Sequence, residues 1–313
     1  MSRDLFFPTM TRADFMRGAL ALTGAATLPH FGNAAGETPV MLTRKIPSSG
    51  RSLPVIGLGT WQGFDTGTSA AERGPLAQVV EALFSGGGSV IDSSPMYGRA
   101  EGVAGDILEA AKSRDKAFIA TKVWTRGKAE GIAQMERSFA LLKTKHIDLM
   151  QVHNLVDCDT QLATLKGWKA DGRISYLGVT HYTPSAFGEL EAAMRREPLD
   201  FVQLDYALDD RAAEKTLLPL AAERGIAVLV NKPFGGGGLL RSLKDKPLPD
   251  WAKDIGCSSW AQILLKFVLS HPAVTCAIPG TAKPEHMKDN LQAGTGALPD
   301  MTLRVKMIAA IGG

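Results

Sequence analysis

The sequence predicts an α/β protein of the TIM-barrel class, a (β/α)8 barrel preceded by a short N-terminal β-hairpin. Eight short apolar segments suited to buried parallel strands alternate with eight segments whose apolar residues recur at helical spacing. Polar residues able to do chemistry stand at the ends of those strands, where barrel enzymes build their sites. A doubly wound open sheet is the alternative, and the lack of a GxGxxG motif after the first predicted strand disfavours it.

The composition is that of a soluble globular protein large enough to enclose a cofactor: 313 residues, 45% of them apolar and 21% charged. The formal net charge is only +3 and no run of lysine or arginine occurs, so we expect no nucleic-acid partner. The three cysteines are widely spaced and form no CxxC pair, which predicts free thiols rather than a disulfide framework or a metal site.

The first 36 residues differ from the rest. Arg12 and Arg17 precede the apolar run 18–28, and small residues follow at 33–36, which is a secretory pattern too short to span a bilayer. Residues 11–17 resemble a twin-arginine export motif, with Ala13 in place of the second arginine. We expect an export signal that meets the export machinery and gives a periplasmic protein; the alternative is a disordered leader on a cytoplasmic one. Residues 37–313 are predicted to form the barrel.

The elements follow in a regular order. Segments 40–43 and 55–58 flank the turn-rich stretch 47–50 and suggest a hairpin. The predicted barrel strands are 55–58, 89–92, 117–122, 147–152, 176–179, 201–204, 226–230 and 274–278. The predicted helices are 76–84, 102–113, 131–142, 160–170, 184–195, 212–224, 258–269 and 285–291.

Four polar residues stand at successive predicted strand ends: Asp92, Tyr97 in the loop that follows it, Lys122 and His153. A buried lysine is costly unless it is paired, and Asp92 is the natural partner. A positive charge beside Tyr97 would lower the phenol pKa from about 10 and give a general acid near neutral pH. His153 would donate a hydrogen bond to the substrate oxygen or pass a proton to Tyr97. The set suits an alkoxide formed by hydride transfer, although each residue alone also fits a structural role.

The motifs around these residues resemble those of the aldo-keto reductase family. They are residues 55–60, 91–98, 121–123, 147–153, 177–180 and 278–286 with Asp289 and Asn290, in family order from about residue 40 to 293. The resemblance implies reduction of an aldehyde or ketone to an alcohol by NADPH bound in a (β/α)8 barrel. It implies Tyr97 as the proton donor, Lys122 and Asp92 as its tuning pair, and His153 as the residue that orients the carbonyl.

The resemblance also implies the residues that hold the cofactor. Gln203 matches the glutamine that binds the carboxamide, and Thr180 matches a serine-like position beside His181, where asparagine is usual. Asn231 replaces the aromatic residue that commonly stacks on the nicotinamide ring. Residues 232–239 resemble the loop over the pyrophosphate, and its proposed contacts are Lys232, Pro233, Phe234 and Gly235.

The adenine side matches least. Gly280 stands where a basic residue often contacts the 2′-phosphate, and His286 stands where an arginine is common. The remaining predicted cofactor contacts are Thr60, Trp61, Thr281, Asp289 and Asn290. We expect NADPH to be preferred, with NADH as the alternative.

Two other functions stay open at this stage: a cofactor-binding sensor or regulatory subunit of the same fold, and a barrel of unrelated chemistry such as a lyase. The substrate is not identified beyond a small carbonyl compound. Only about two dozen residues follow Asn290, whereas many family members close the pocket with a long C-terminal loop, so we expect an open pocket. Trp61, Trp124 and Tyr182 are candidate walls of that pocket.

Overall fold

The computed structural model describes residues 40–312, and they form a hairpin followed by an eight-stranded parallel sheet. The predicted export leader lies outside the described residues, so export and periplasmic location stay predictions. The hairpin strands are β1 (Thr43–Lys45) and β2 (Ser52–Pro54). The parallel strands are β3 (Leu58–Gly59), β4 (Val90–Asp92), β5 (Phe118–Val123), β6 (Ile147–His153), β7 (Ile174–His181), β8 (Phe201–Asp205), β9 (Ala227–Asn231) and β10 (Val274–Ala277).

The sheet closes on itself. Strands β3 to β10 are hydrogen-bonded in sequence order, and the first and last meet through parallel bridges from Ile56 to Ala277 and from Gly59 to Gly280. The amide of Gly57 donates to the carbonyl oxygen of Ala277 at 2.9 Å, which completes the circle. The predicted (β/α)8 class is therefore confirmed, and the open sheet is wrong.

A helix follows each barrel strand, as the helical spacing predicts. The eight predicted helices correspond to α1 (Ala70–Ser85), α2 (Ala100–Ala110), α3 (Lys128–Leu141), α4 (Cys158–Ala170), α5 (Phe187–Arg196), α6 (Leu217–Arg224), α8 (Trp260–Ser270) and α9 (Pro284–Gln292). Two further helices were not predicted, α7 (Gly238–Leu243) and α10 (Met301–Ala310). The first follows directly on the glycine-rich loop, whose composition hides it.

The hairpin boundaries need a correction. Its arms are residues 43–45 and 52–54, which lie closer to the turn than the predicted arms 40–43 and 55–58. The turn at 47–49 lies within the predicted turn-rich stretch 47–50. The apolar segment 55–58 is not a hairpin arm, because it runs on into β3 and pairs with the ends of β4 and β10. Apolarity therefore marked burial in the barrel rather than pairing in the hairpin.

Apolar side chains form two separate layers. The larger cluster fills the space between the sheet and the helices. The smaller one fills the lower part of the barrel interior, and its members are Ile46, Leu53, Val90, Phe118, Ala120, Leu149, Tyr176, Phe201, Ala227, Leu229, Cys276 and Ile278. Because alternate residues of a strand face the interior, the residues that continue these rows towards the strand ends also point inside.

The hairpin seals the lower end of the barrel. Ile46 and Leu53 are fully buried against the interior cluster, and the hydroxyl of Ser49 lies 2.8 Å from the Tyr176 hydroxyl. The guanidinium of Arg51 lies 5.2 Å from the centroid of the Phe118 ring. The opposite end, where the strands reach their carboxyl termini, is left as the mouth of the barrel.

Within residues 40–312, no helix is long and apolar enough to cross a membrane. The same residues hold no cluster of three or more His, Cys, Asp or Glu side chains that could bind a metal ion. Cys158, Cys257 and Cys276 are free thiols, as their spacing predicts.

Candidate active site

The structure brings the four predicted catalytic residues together at the mouth. Asp92 ends β4, Lys122 lies one residue before the end of β5, and His153 ends β6. The alternation of each strand points all three side chains into the barrel, where they are 2%, 1% and 5% exposed. Tyr97 approaches from the loop after β4 and is only partly buried.

Lys122 and Asp92 form a buried ion pair. The Nζ of Lys122 lies 2.7 Å from Oδ2 of Asp92 and donates to the carbonyl oxygen of Ser93 at 2.7 Å. Burial disfavours the ammonium, but the charge of Asp92 and the neighbouring Tyr97 outweigh it and raise the pKa of Lys122. The lysine is therefore a fixed positive charge at neutral pH.

Tyr97 lies directly beside that charge. The centroid of its ring is 5.1 Å from Nζ of Lys122 and 5.9 Å from the His153 ring, which stands almost perpendicular to it at 85°. Burial raises the pKa of Tyr97; Lys122 lowers it, as the sequence predicts, and Asp92 raises it again. The predicted net fall was wrong, because desolvation of the phenolate exceeds the attraction of the lysine.

His153 is held as a neutral imidazole. Burial and the nearby charges of Lys122 and His181 lower its pKa to about 2. Its Nδ1 lies 3.0 Å from Oγ of Ser94, and that hydroxyl oxygen also accepts from the backbone amide of Met96 at 3.4 Å. The Ser94 hydroxyl is thus placed to donate its proton to Nδ1, which leaves the imidazole proton on Nε2.

Ser94 and Gln151 belong to this network although the sequence did not predict them. Gln203 was predicted, but not its contact with Asp92. Gln151 donates from Nε2 to Oδ1 of Asp92 at 3.4 Å and to Oε1 of Gln203 at 3.3 Å. Gln203, predicted only as a cofactor contact, donates from Nε2 to Oδ2 of Asp92 at 3.2 Å. Strand alternation could have found Gln151, because it lies two residues before His153 and shares its face.

The predicted nicotinamide contacts also lie around the mouth. Thr60 is fully buried and donates to the backbone oxygen of Asp92 at 3.0 Å, and Thr180 ends up beside Gln203 in the register of β7 and β8. His181 accepts from the amide of Thr183 on Nδ1 at 3.3 Å, and burial lowers its pKa. Its neutral ring can therefore donate one hydrogen bond from Nε2, as expected for a residue in the usual place of asparagine.

Asn231 and Lys232 stand at the end of β9, opposite the catalytic residues. Asn231 is the register partner of Asp205 on β8, and Lys232 binds Oδ2 of Asp205 at 2.5 Å. Burial raises the pKa of Asp205 in spite of that lysine. Lys232 also lies 5.6 Å from the centroid of the Tyr182 ring, so it joins the loops after β7 and β9. The loop continues through buried Pro233 and partly buried Phe234 and Gly235.

The remaining predicted cofactor contacts lie in α9 and just before it. The hydroxyl of Thr281 accepts from the amide of Lys283 at 3.1 Å, and His286 is exposed. Asn290 is buried, and Asp289 accepts hydrogen bonds from Ser259, the N-cap of α8, at 2.7 Å and from Gln262 on α8 at 2.6 Å. Asp289 thus has a structural partner that its sequence context did not reveal.

The candidate walls of the pocket are half exposed around the mouth. Trp61 follows β3, Trp124 follows β5 and Tyr182 follows β7, with exposed fractions of 55%, 42% and 46%. Met96, beside Tyr97, is 41% exposed. These four side chains give the rim of the mouth an apolar surface.

Comparison with known proteins assigns the family. The model of the Aldo/keto reductase family matches residues 55–305. The 9,11-endoperoxide prostaglandin H2 reductase of Trypanosoma cruzi is 26% identical over 260 residues, which are 80% of this chain and 86% of the relative. The glyoxal reductase of Bacillus subtilis is 28% identical over 247 residues, 77% of this chain and 83% of the relative.

A solved structure agrees with the fold. The aldo-keto reductase of Klebsiella pneumoniae in complex with NADPH superposes with a TM-score of 0.73 at 27% identity, over 87% of this chain and 96% of that one. The family match spans the barrel strands and the four catalytic positions. The chain belongs to the aldo/keto reductase family of oxidoreductases.

Proposed function

We propose that this chain uses NADPH to reduce an aldehyde or ketone to an alcohol, with Tyr97 as the general acid. The observation that carries the proposal is the placement of Tyr97 beside the buried Lys122, Asp92 and His153 at the mouth of the barrel. The Klebsiella pneumoniae relative is described as an NADPH complex and the Bacillus subtilis relative as a glyoxal reductase, and both support this chemistry.

The residues opposite the catalytic set fit a nicotinamide cofactor. Among residues 40–312, Oδ1 of Asn231 is buried without a hydrogen-bond partner, so it can accept from an amide or hydroxyl group of a ligand. A Cβ at Gly235 would lie 2.4 Å from Oδ2 of Asp209, so a side chain there would crowd the loop after β8. Lys232 supplies a positive charge there, and Thr180, His181 and Gln203 supply hydrogen-bonding groups for the carboxamide.

When bound, NADPH supplies the hydride that reduces the carbonyl carbon. Tyr97 donates its phenolic proton to the carbonyl oxygen as that oxygen gains charge. The raised pKa of Tyr97 keeps the phenol protonated at neutral pH, and Lys122 stabilises the phenolate that the transfer leaves. Asp92 keeps Lys122 charged and fixed through the 2.7 Å ion pair.

His153 orients the substrate rather than supplying the proton. A neutral imidazole with its proton on Nε2 can donate a hydrogen bond to the carbonyl oxygen and polarise it. Ser94 fixes this tautomer through Nδ1 and therefore acts as a positioning residue. An imidazole with a pKa of about 2 is a poor proton store at neutral pH, which leaves the proton transfer to Tyr97.

Replacement of Tyr97 by phenylalanine tests the proposal. Tyr97→Phe keeps the ring and removes the acid, so we expect kcat for an aldehyde panel to fall roughly 100- to 10,000-fold while NADPH titrated by fluorescence binds as before. Tyr176→Phe is the matched control, because the Tyr176 hydroxyl lies 2.8 Å from that of Ser49 at the sealed end, away from the catalytic residues. Turnover of Tyr97→Phe at the wild-type rate, or a wild-type protein that binds no NADPH, would contradict the proposal.

A further inference from the structure

Two glutamines donate hydrogen bonds to the carboxylate of Asp92 inside the barrel. Oδ2 accepts from Lys122 and, at 3.2 Å, from Nε2 of Gln203; Oδ1 accepts from Nε2 of Gln151 at 3.4 Å. The same Nε2 of Gln151 donates to Oε1 of Gln203 at 3.3 Å. Asp92, Gln151 and Gln203 therefore form a closed triangle of hydrogen bonds, and all three side chains are at most 2% exposed.

The two glutamines meet across β7 because no side chain separates them. Gln151 on β6 is the register partner of Gly178, which is the interior position of β7 between the two glutamine-bearing strands. A Cβ at Gly178 would lie 2.6 Å from the carbonyl oxygen of Phe201, so the backbone packs too closely for any other residue. The contact between the two amides is therefore built into the packing of three adjacent strands.

The triangle leaves Gln203 able to bind a further group. A primary amide has two N–H donors and an oxygen with two lone pairs. Gln203 uses one donor on Asp92 and one lone pair on Gln151, so one donor and one lone pair remain. A ligand carboxamide can use both without displacing either internal contact.

Gln151 is poorly explained as a packing residue. It is completely buried, and its Oε1 has no hydrogen-bond partner among residues 40–312. An unsatisfied buried acceptor costs free energy that an apolar side chain of similar volume would avoid. The two hydrogen bonds that Gln151 donates, to Asp92 and Gln203, are the interactions that an apolar side chain could not make.

We propose that Gln151 is a positioning residue that links the cofactor site to the proton donor. It holds Gln203 against Asp92, so the group that meets the cofactor carboxamide and the carboxylate that fixes Lys122 keep one geometry. The inference rests on the proposed function, because it takes the nicotinamide carboxamide as the ligand of Gln203. Gln151 itself touches neither cofactor nor substrate and acts through its two partners.

A double-mutant cycle on cofactor affinity tests the link. We expect Gln151→Met to raise the Kd for NADPH, measured by fluorescence titration, about tenfold, which is the order expected for one lost hydrogen bond. It should also lower kcat and leave the KM for the carbonyl compound unchanged. Because Gln151 acts through Gln203, the double variant Gln151→Met/Gln203→Met should bind NADPH no more than about twofold more weakly than Gln203→Met alone.

Gln161→Met is the matched control. Gln161 is also completely buried, and its Oε1 too has no partner in the part of the chain that the structure describes, but it donates to the backbone oxygens of Thr125 and Gly127 at 3.2 and 3.0 Å. We expect it to lower the melting temperature while the Kd for NADPH and kcat stay at wild-type values. If Gln151→Met does not fold, Gln151→Asn, one methylene too short for both contacts, should show the same rise in Kd.

The outcomes separate the two proposals. Unchanged Kd and kcat in Gln151→Met, or effects of Gln151 and Gln203 that simply multiply, overturn the link and leave the proposed function standing. A wild-type protein that binds no NADPH overturns both. Coupled effects at Gln151 and Gln203 with a neutral Gln161 control support the link.

Discussion

The catalytic side and the cofactor side of the barrel mouth differ in the hydrogen bonds that their main polar side chains make within the protein. On the β4–β6 side, Lys122 has Asp92 and the carbonyl oxygen of Ser93, and His153 has Ser94. On the β8–β9 side, Oδ1 of Asp205 and Oδ1 of Asn231 are buried without a partner among residues 40–312. Lys122, Asp92 and His153 therefore have protein partners before any ligand arrives, whereas the two unpaired oxygens of the other side can be satisfied by a ligand.

Removing the charge at the centre of the catalytic side should have the largest effect. Lys122→Met leaves the Asp92 carboxylate buried and unpaired, so we expect a loss of about 3–5 kcal/mol in the free energy of unfolding, measured by urea denaturation. The kcat should fall roughly 100- to 10,000-fold, because the phenolate of Tyr97 loses its stabilising charge.

Lys266→Met is the control for that variant. Lys266 is equally buried, but its Nζ donates to the backbone oxygens of Thr295 and Ala297 at 2.6 and 2.7 Å and forms no ion pair within residues 40–312. It should cost about 1–3 kcal/mol and leave kcat unchanged. Equal stability of Lys122→Met and wild type would show that the catalytic side does not depend on its internal ion pair.

Loss of the hydrogen bond that fixes the His153 tautomer should have a smaller effect. Ser94→Ala removes the donor to Nδ1 of His153, so the Nε2–H form loses its preference and kcat should fall about tenfold, the order of one hydrogen bond. Nitrogen-15 NMR of the histidine ring reports the tautomer directly. Ser138→Ala, at another fully buried serine, should change neither the spectrum nor kcat. An unaltered tautomer in Ser94→Ala would remove Ser94 from the site.

On the cofactor side, we expect a substitution that strengthens the preference for NADPH over NADH. His286 is exposed at the start of α9, where the family commonly has an arginine. His286→Arg supplies a bidentate fork for a phosphate, so we expect the ratio of NADPH to NADH affinity to rise about tenfold. The Kd for each cofactor measures this, with His286→Lys as a point-charge comparison. A ratio that does not move would place the 2′-phosphate elsewhere.

The smallest expected effect is that of pH. Tyr97 must be protonated to act, and burial raises its pKa above the ordinary value; burial lowers the pKa of His153 to about 2, so its ring stays neutral. The kcat/KM for the carbonyl compound should therefore be flat from pH 6 to 9.5 in initial-rate assays. An acidic limb near pH 6.5 would show that His153 titrates and that the mouth is more hydrated than its burial indicates.

The fold and the catalytic set were predictable from the sequence, and the contacts that tie them together were not. Strand positions such as β6 and β8 follow from short apolar runs, and Asp92, Lys122 and His153 stand out because each is a polar residue at the end of one. Gln151 and Ser94 gain their roles only from neighbours far away in sequence, which alternation and register bring close. The direction of the pKa shift of Tyr97 also required the structure, because it depends on the balance between burial of the phenol and the positive charge of Lys122.

The cofactor side was harder to predict for a related reason. Asn231 departs from the family pattern, and the resemblance of residues 232–239 to the pyrophosphate loop does not predict a protein partner for Lys232. The ion pair of Lys232 with Asp205 joins the ends of two adjacent strands, and Asp205 carried no signal of its own in the sequence. Likewise, Asp289 matches the family pattern yet accepts hydrogen bonds from Ser259 and Gln262 at the N-terminal end of α8.

The hairpin at the sealed end of the barrel sets the order of events at the other end. With Ile46 and Leu53 closing the lower interior, both reactants must use the same opening. On the proposed function, the cofactor reaches down to Gln203 and the carbonyl compound stops at Tyr97. We therefore expect an ordered kinetic sequence in which the cofactor binds first and the oxidised cofactor leaves last, because the hairpin on the far side of the molecule closes the other route.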